Sequence, residues 1–188
     1  PSAARSPSDS SFAMAPRILN EPVRWRFSAF STTSPPVRSL RVADDVTGVH
    51  MISDHGYWLE ARLTRDRAGD LSGMVGARFG PLIDTRGRTL SGAMSDAEGL
   101  ARRPDGGFIV SFERQHRLWH YPAAEPPFSK AAIALPKPPG VDAAPGNGGL
   151  EALAFLANGK LLTLTEELLD GDDTVGWIGD QTRWDRLT

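Results

Sequence analysis

Apolar and polar residues alternate over short stretches of this chain, and turn residues separate the stretches. From Pro22 to Phe30, Val23, Trp25, Phe27 and Ala29 alternate with Arg24, Arg26 and Ser28, the period of a half-buried strand. Val37–Val42 and Val49–Ser53 predict two strands around an Asp44-Asp45-Val46-Thr47-Gly48 turn, and Tyr57–Leu63 a third. Leu71–Val75 reads as a short strand after the turn Asp66–Asp70, and residues 80–90 as a polar, turn-rich connection. Further strands are predicted at Arg117–Tyr121 and Ala131–Leu135, an acidic loop over Glu166–Asp173, and a last element from Gly176 to Trp184. No stretch carries the period of a long amphipathic helix. Residues 1–18, rich in Ser, Ala and Pro, predict a poorly ordered tail, and 19–188 the folded domain.

One stretch is written twice. Glu98-Gly99-Leu100 through Phe112-Glu113 returns without a gap, 53 residues on, as Glu151-Ala152-Leu153 through Thr165-Glu166. Each copy bends at a tight-turn pair, Asp105-Gly106 or Asn158-Gly159, the strongest short hairpin signal. Read as two-residue turns, these place Glu98 directly opposite Glu113 and Glu151 opposite Glu166. Opposed carboxylates repel, so a cation, a nearby Arg, a held proton or screening water must offset the cost. A weaker third copy runs from Leu40 to Asp45, with Ser53-Asp54 near the place of Phe112-Glu113 after a one-residue slip. A period of about 50 residues with roughly four strands in each predicts an all-β propeller of four-stranded blades. The 188 residues hold three to four such blades. The expectation is therefore an incomplete ring, the N-terminal portion of a domain continuing past Thr188.

Composition narrows the function classes. A net charge of −2 with no basic stripe argues against a nucleic-acid surface, and no apolar run approaches a membrane span. The absence of cysteine removes disulfides, thiolate zinc sites and a Cys nucleophile together. No Gly-x-Ser-x-Gly elbow, phosphate-binding Gly-rich loop or His-Glu-x-x-His pair is present. His116 and His120 are four apart in a strand-like stretch, about 13 Å, too far to share a metal. Asp170-Gly171-Asp172-Asp173 reads as a solvated turn, without the spacing of an EF-hand. Trp25, Trp58, Trp119, Trp177 and Trp184 read as core. The repeated acids are the candidate chemistry: in a propeller, equivalent positions of successive blades converge around the axis. Glu98, Glu113, Glu151 and Glu166 are the metal-ligand candidates, and an all-oxygen set suits calcium or magnesium. Asp54 and His55 form an adjacent acid–base pair in a turn, with a plain surface histidine as the alternative. Arg114 stands where it can neutralise Glu113 or clamp a phosphate.

Ser53-Asp54-His55-Gly56, Asp96-Ala97-Glu98-Gly99-Leu100, Pro104-Asp105-Gly106, Phe112-Glu113-Arg114 and Gly149-Leu150-Glu151-Ala152-Leu153-Ala154 resemble the phytase-like domain, described as having esterase-like activity of phytase. The resemblance covers about residues 37–188. It implies a β-propeller, calcium held by acidic residues, a small-molecule phosphoester or ester substrate, and a periplasmic or secreted location, although the chain as given shows no signal-peptide pattern. Where the family has Gly-Leu-Ser-Gly-Leu before its first hairpin, this chain has Val37-Arg38-Ser39-Leu40. The expected function is a divalent-cation-dependent phosphoester or ester hydrolase. The alternative is a non-catalytic propeller that binds a ligand or protein on one face.

Overall fold

The computed structural model describes residues 37–43 and 45–187, together with the backbone of Arg17–Ile18. The strand expected over Pro22–Phe30, with Trp25, and nearly all of the expected tail lie outside the described residues. The chain lays down three antiparallel sheets in succession. The first comprises β1 (Arg17–Ile18), β2 (Val37–Val42), β3 (Gly48–Ser53), β4 (Tyr57–Arg65) and β5 (Leu71–Pro81), in the order β1-β5-β4-β3-β2. The second is the meander β6 (Ala97–Arg102), β7 (Phe108–Phe112), β8 (Arg117–Tyr121) and β9 (Ile133–Leu135). The third is the meander β10 (Leu150–Phe155), β11 (Leu161–Asp170), β12 (Asp173–Gly179) and β13 (Trp184–Leu187). Two single-turn 3₁₀ helices, Gly92–Met94 and Val141–Ala143, lie in the links. β6 packs against both β2 and β10, so these three strands, one from each sheet, run side by side. This all-β array, with no sheet closed into a barrel, is consistent with an incomplete propeller of four-stranded blades.

The middle sheet is covered on both faces, which accounts for a sequence feature. Phe108-Ile109-Val110-Ser111-Phe112 does not alternate because all five residues are buried. Phe108, Val110 and Phe112 pack toward Ile52 and Trp58 of the first sheet. Ile109, with Ala101 and Leu118, packs toward Leu150, Leu161, Val175 and Trp177 of the third. Trp58, Trp119, Trp177 and Trp184 are all core residues, as expected.

The two repeated stretches form matching hairpins in neighbouring sheets, but not in the expected register. Arg102 pairs with Phe108 and Phe155 with Leu161, and inside these pairs the Arg103 and Leu156 amides donate to the Gly107 and Lys160 carbonyl oxygens, so each loop holds one residue more than a two-residue turn. Within the two loops positive φ is confined to Gly106 (+85°) and Gly159 (+79°), whereas the two-residue turn needs it at both central positions. Asp105 and Asn158 keep ordinary backbone because their Oδ1 atoms accept the amides two residues on, at 2.9 and 3.0 Å. Each result is a three-residue loop with glycine in the left-handed position. Valine at Gly106 or Gly159 is expected to cost about 1–3 kcal/mol from backbone strain. No neighbour lies closer than 3.6 Å to either added Cβ. Thermal or urea melts of the two variants check this, and unchanged midpoints would refute the turn geometry.

Two other stretches differ from expectation. β5 runs on to Pro81 instead of stopping at Val75: Gly76 makes a bulge at positive φ and Ala77 is buried beyond it. The acidic loop over 166–173 is the arm of a hairpin. There Thr165 Oγ1 bridges the carbonyl oxygens of Leu168 (3.1 Å) and Val175 (2.9 Å) across a register shift, and Arg186 reaches Asp170 at 3.0 Å.

Candidate functional site

The strands β2, β6 and β10 are bulged at the same place. Val37 pairs with Ser53, Ala97 with Phe112 and Leu150 with Thr165, and in each case the register shifts by one immediately afterwards. A bulge re-aims a side chain out of the normal alternation. The residues re-aimed are Arg38, Glu98 and Glu151. Asp54 and Glu113 directly follow β3 and β7, and Glu166 lies in β11, each one residue past the pair that precedes the shift. The opposition of Glu98 to Glu113 and of Glu151 to Glu166 expected from a two-residue turn is therefore replaced by bulges. These bring the carboxylates together around the strand ends rather than across a ladder.

They converge on an open cleft of about 450 Å³. All seven sequence-derived candidates, Asp54, His55, Glu98, Glu113, Arg114, Glu151 and Glu166, line it. Arg38, Asp96 and Asn147 line it as well and were missed as site residues. Asp96 stands inside the quoted Asp96-Ala97-Glu98 motif, and Arg38 at the place of Glu98 in the third copy, so both had a signal. His116 and His120 stay out of the cleft. His116 is buried with Nε2 3.3 Å from the Ala144 carbonyl oxygen, and His120 lies on β8 beside Gly107. Asp170–Asp173 lies at the far tip of the β11–β12 hairpin.

Buried backbone and charge hold the groups in place. Glu113 Oε1 accepts the Gly149 amide at 2.8 Å. The same Gly-rich link receives the Arg114 amide at Gly146 and the Glu166 amide at Gly149, fastening the second sheet to the third. Arg38 donates to Asp54 Oδ2 from Nε and Nη2, both at 3.2 Å, and its Nε lies 3.7 Å from Glu98 Oε2. Arg114 Nε reaches Asp96 Oδ2 at 2.5 Å, and His55 Nδ1 lies 2.5 Å from Asp54 Oδ1. One oxygen each of Asp96, Glu98 and Glu113 lie within 4.8 Å of one another, as do those of Glu113, Glu151 and Glu166. Burial, reinforced by the Glu151 charge and opposed by Arg38, pushes the Glu98 carboxyl up to about 8. Burial, with the hydrogen bond to and charge of Glu113, pushes Glu151 up to about 7. Part of this acidic set thus holds protons near neutral pH.

These carboxylates fit a hard divalent cation. Every donor is an oxygen, which favours calcium or magnesium over zinc. Oxygens on opposite sides of one calcium are separated by about twice 2.3–2.6 Å, and the 4.8 Å limit of each set falls within that span. No described helix is long and apolar enough to cross a membrane. Residues 39–187 match a protein family described as phytase-like, with esterase-like activity of phytase. No curated protein matches the chain.

Proposed function

The chain belongs to the phytase-like family, and on that footing we propose that the cleft is the active site of a hydrolase acting on phosphoesters with the help of a divalent cation, calcium foremost. The supporting observation is the convergence of six carboxylates and two guanidiniums from three sheets on one open cleft. The cation would be held by carboxylates gathered around Glu113, drawn from Glu98, Glu151 and Glu166. When bound, it would supply neutralisation of the phosphate charge and acidify a water.

The chain's own residues divide the remaining work. Arg114, anchored through Nε by Asp96 and about half exposed, turns its guanidinium edge to the substrate's phosphate oxygens, a geometry suited to bidentate binding. Asp54 Oδ1 accepts a hydrogen bond from His55 Nδ1–H, which fixes the ring and leaves Nε2 to exchange a proton with water. Glu98, where it stays outside the cation's ligands, keeps its proton near neutral pH and can give it to the departing alkoxide, as a carboxyl with a raised pKa does.

The test is turnover of a chromogenic phosphate monoester and of a chromogenic carboxylic ester by the full chain, with calcium and with chelator. Phosphate-ester hydrolysis is expected to fall at least roughly tenfold in chelator, with the carboxylic ester cleaved poorly in both. Chelator-insensitive cleavage of the carboxylic ester would overturn the reading. If neither ester is cleaved while calcium raises the melting temperature, the cleft is a binding scaffold.

A further inference from the structure

The cleft contains two overlapping carboxylate sets that share Glu113: Asp96, Glu98 and Glu113, and Glu113, Glu151 and Glu166. The protein's own cations are not divided evenly between them. Arg38 approaches Glu98 and Arg114 approaches Asp96, so both guanidiniums stand nearest the first set, and the second feels Arg38 only through the weaker attraction of Glu151. Within the second set Glu151 rests on Glu113, carboxyl to carboxyl.

The repeat shows how the asymmetry arises. Arg38 occupies the bulge position that holds Glu98 in the second sheet and Glu151 in the third. A third acid there would extend the ring of carboxylates. Instead a guanidinium bridges Asp54 of its own sheet and Glu98 of the next.

We propose that Arg38 is a built-in counter-ion that closes the Asp96–Glu98–Glu113 set to divalent cations and confines the ion to Glu113, Glu151 and Glu166. This cleft therefore takes one cation where an uncharged residue at position 38 would let it take two. The inference rests on the cleft being a cation site. A fixed positive charge a few ångströms from a divalent ion lowers the ion's affinity by at least roughly tenfold, even at a high effective dielectric. Arg38 acts here through the carboxylates it pairs with and is a positioning residue.

The experiment is equilibrium dialysis of the full chain against calcium alone, with melting curves to confirm folding. Wild type and Arg38→Lys, which keeps the charge, are expected to bind one calcium. Arg38→Gln is expected to bind a second, at least roughly tenfold tighter than any second ion on wild type. Glu166→Gln is expected to weaken the first at least roughly tenfold. Should Arg38→Gln fail to fold, Arg38→Met removes the same charge while keeping an unbranched side chain of similar reach, and is expected to admit the second ion in its place. Two calcium ions on wild type, or one on every folded arginine variant, would overturn the counter-ion role and leave the cation site standing. No calcium on wild type would overturn the cation reading of the cleft and this inference with it.

Discussion

Alanine at Gly99 is expected to destabilise the protein by about 3 kcal/mol, measured by urea unfolding, although only one methyl group is added. Gly99 lies in the β6 bulge, where the second and third sheets come closest. A Cβ there would overlap Ser111 Oγ and stand 2.8 Å from Leu153 Cβ and 3.1 Å from the Glu151 carbonyl oxygen. None of these can retreat cheaply. Ser111 is fully buried, and its hydroxyl accepts the Gly99 amide at 2.8 Å while donating to the Leu150 carbonyl oxygen at 2.7 Å. Turning the hydroxyl away leaves a buried amide and a buried carbonyl without partners, about 1–3 kcal/mol by itself. Ser111→Ala is therefore expected to lose about 1–3 kcal/mol alone. The double variant should lose less than the sum, because the clash goes with the hydroxyl. Strict additivity would show that the added methyl group and the Ser111 hydroxyl do not compete for the same space. The same contact aims Glu98 and Glu151 into the cleft, so loosening it should weaken calcium binding as well.

The architecture was legible because the hairpins repeat without a gap and share their turn chemistry: Asp105-Gly106 and Asn158-Gly159 sit at equivalent loops in neighbouring sheets. The pairing across each hairpin was not legible. Register is normally read from alternation, and β7 has none because both of its faces are covered. Nothing local in Glu98-Gly99 announces a bulge, which exists to let one sheet approach the next. The gathering of the acids was legible from their shared place in the repeat. Arg38 was hidden for the reverse reason: it keeps the position in the repeat that holds Glu98 and Glu151 but inverts the charge. Asp96 belongs to no repeated acidic position and is drawn in by Arg114, whose positive φ of 55° turns it back over the strand end. The far half of β5 was hidden by its glycines, which read as turns when Gly76 marks a bulge within a continuing strand.

In chelator, the Glu98 carboxyl is expected to cost the wild-type protein stability as pH rises from about 4.5 to 8, and Glu98→Gln to remove that cost, so that the difference between the two proteins grows with pH. Glu98 titrates at about 8 in the folded protein against an ordinary value of 4.5. Over this window the folded state holds a proton that the unfolded chain has released. The stabilising difference is whole below about pH 4.5 and has gone by pH 8. Because the cleft is open to solvent, about 1–2 kcal/mol of the difference should survive screening. Glutamine keeps the shape and cannot ionise. Glu98→Gln should thus match wild type near pH 5 and exceed it by about 1–2 kcal/mol at pH 8. Glu151→Gln should behave similarly with an upper limit nearer pH 7. Calcium separates the two. At a hundredfold excess over its dissociation constant it should stabilise wild type by about 2.7 kcal/mol. If Arg38 has claimed Glu98, Glu98→Gln keeps most of that gain, whereas Glu151→Gln loses most of it. Melts of the three proteins at pH 5 and pH 8, with calcium and with chelator, decide the matter. If both variants melt below wild type in chelator at pH 8, hydrogen bonding to the two carboxylates outweighs their mutual repulsion, and the charge argument for the cleft fails.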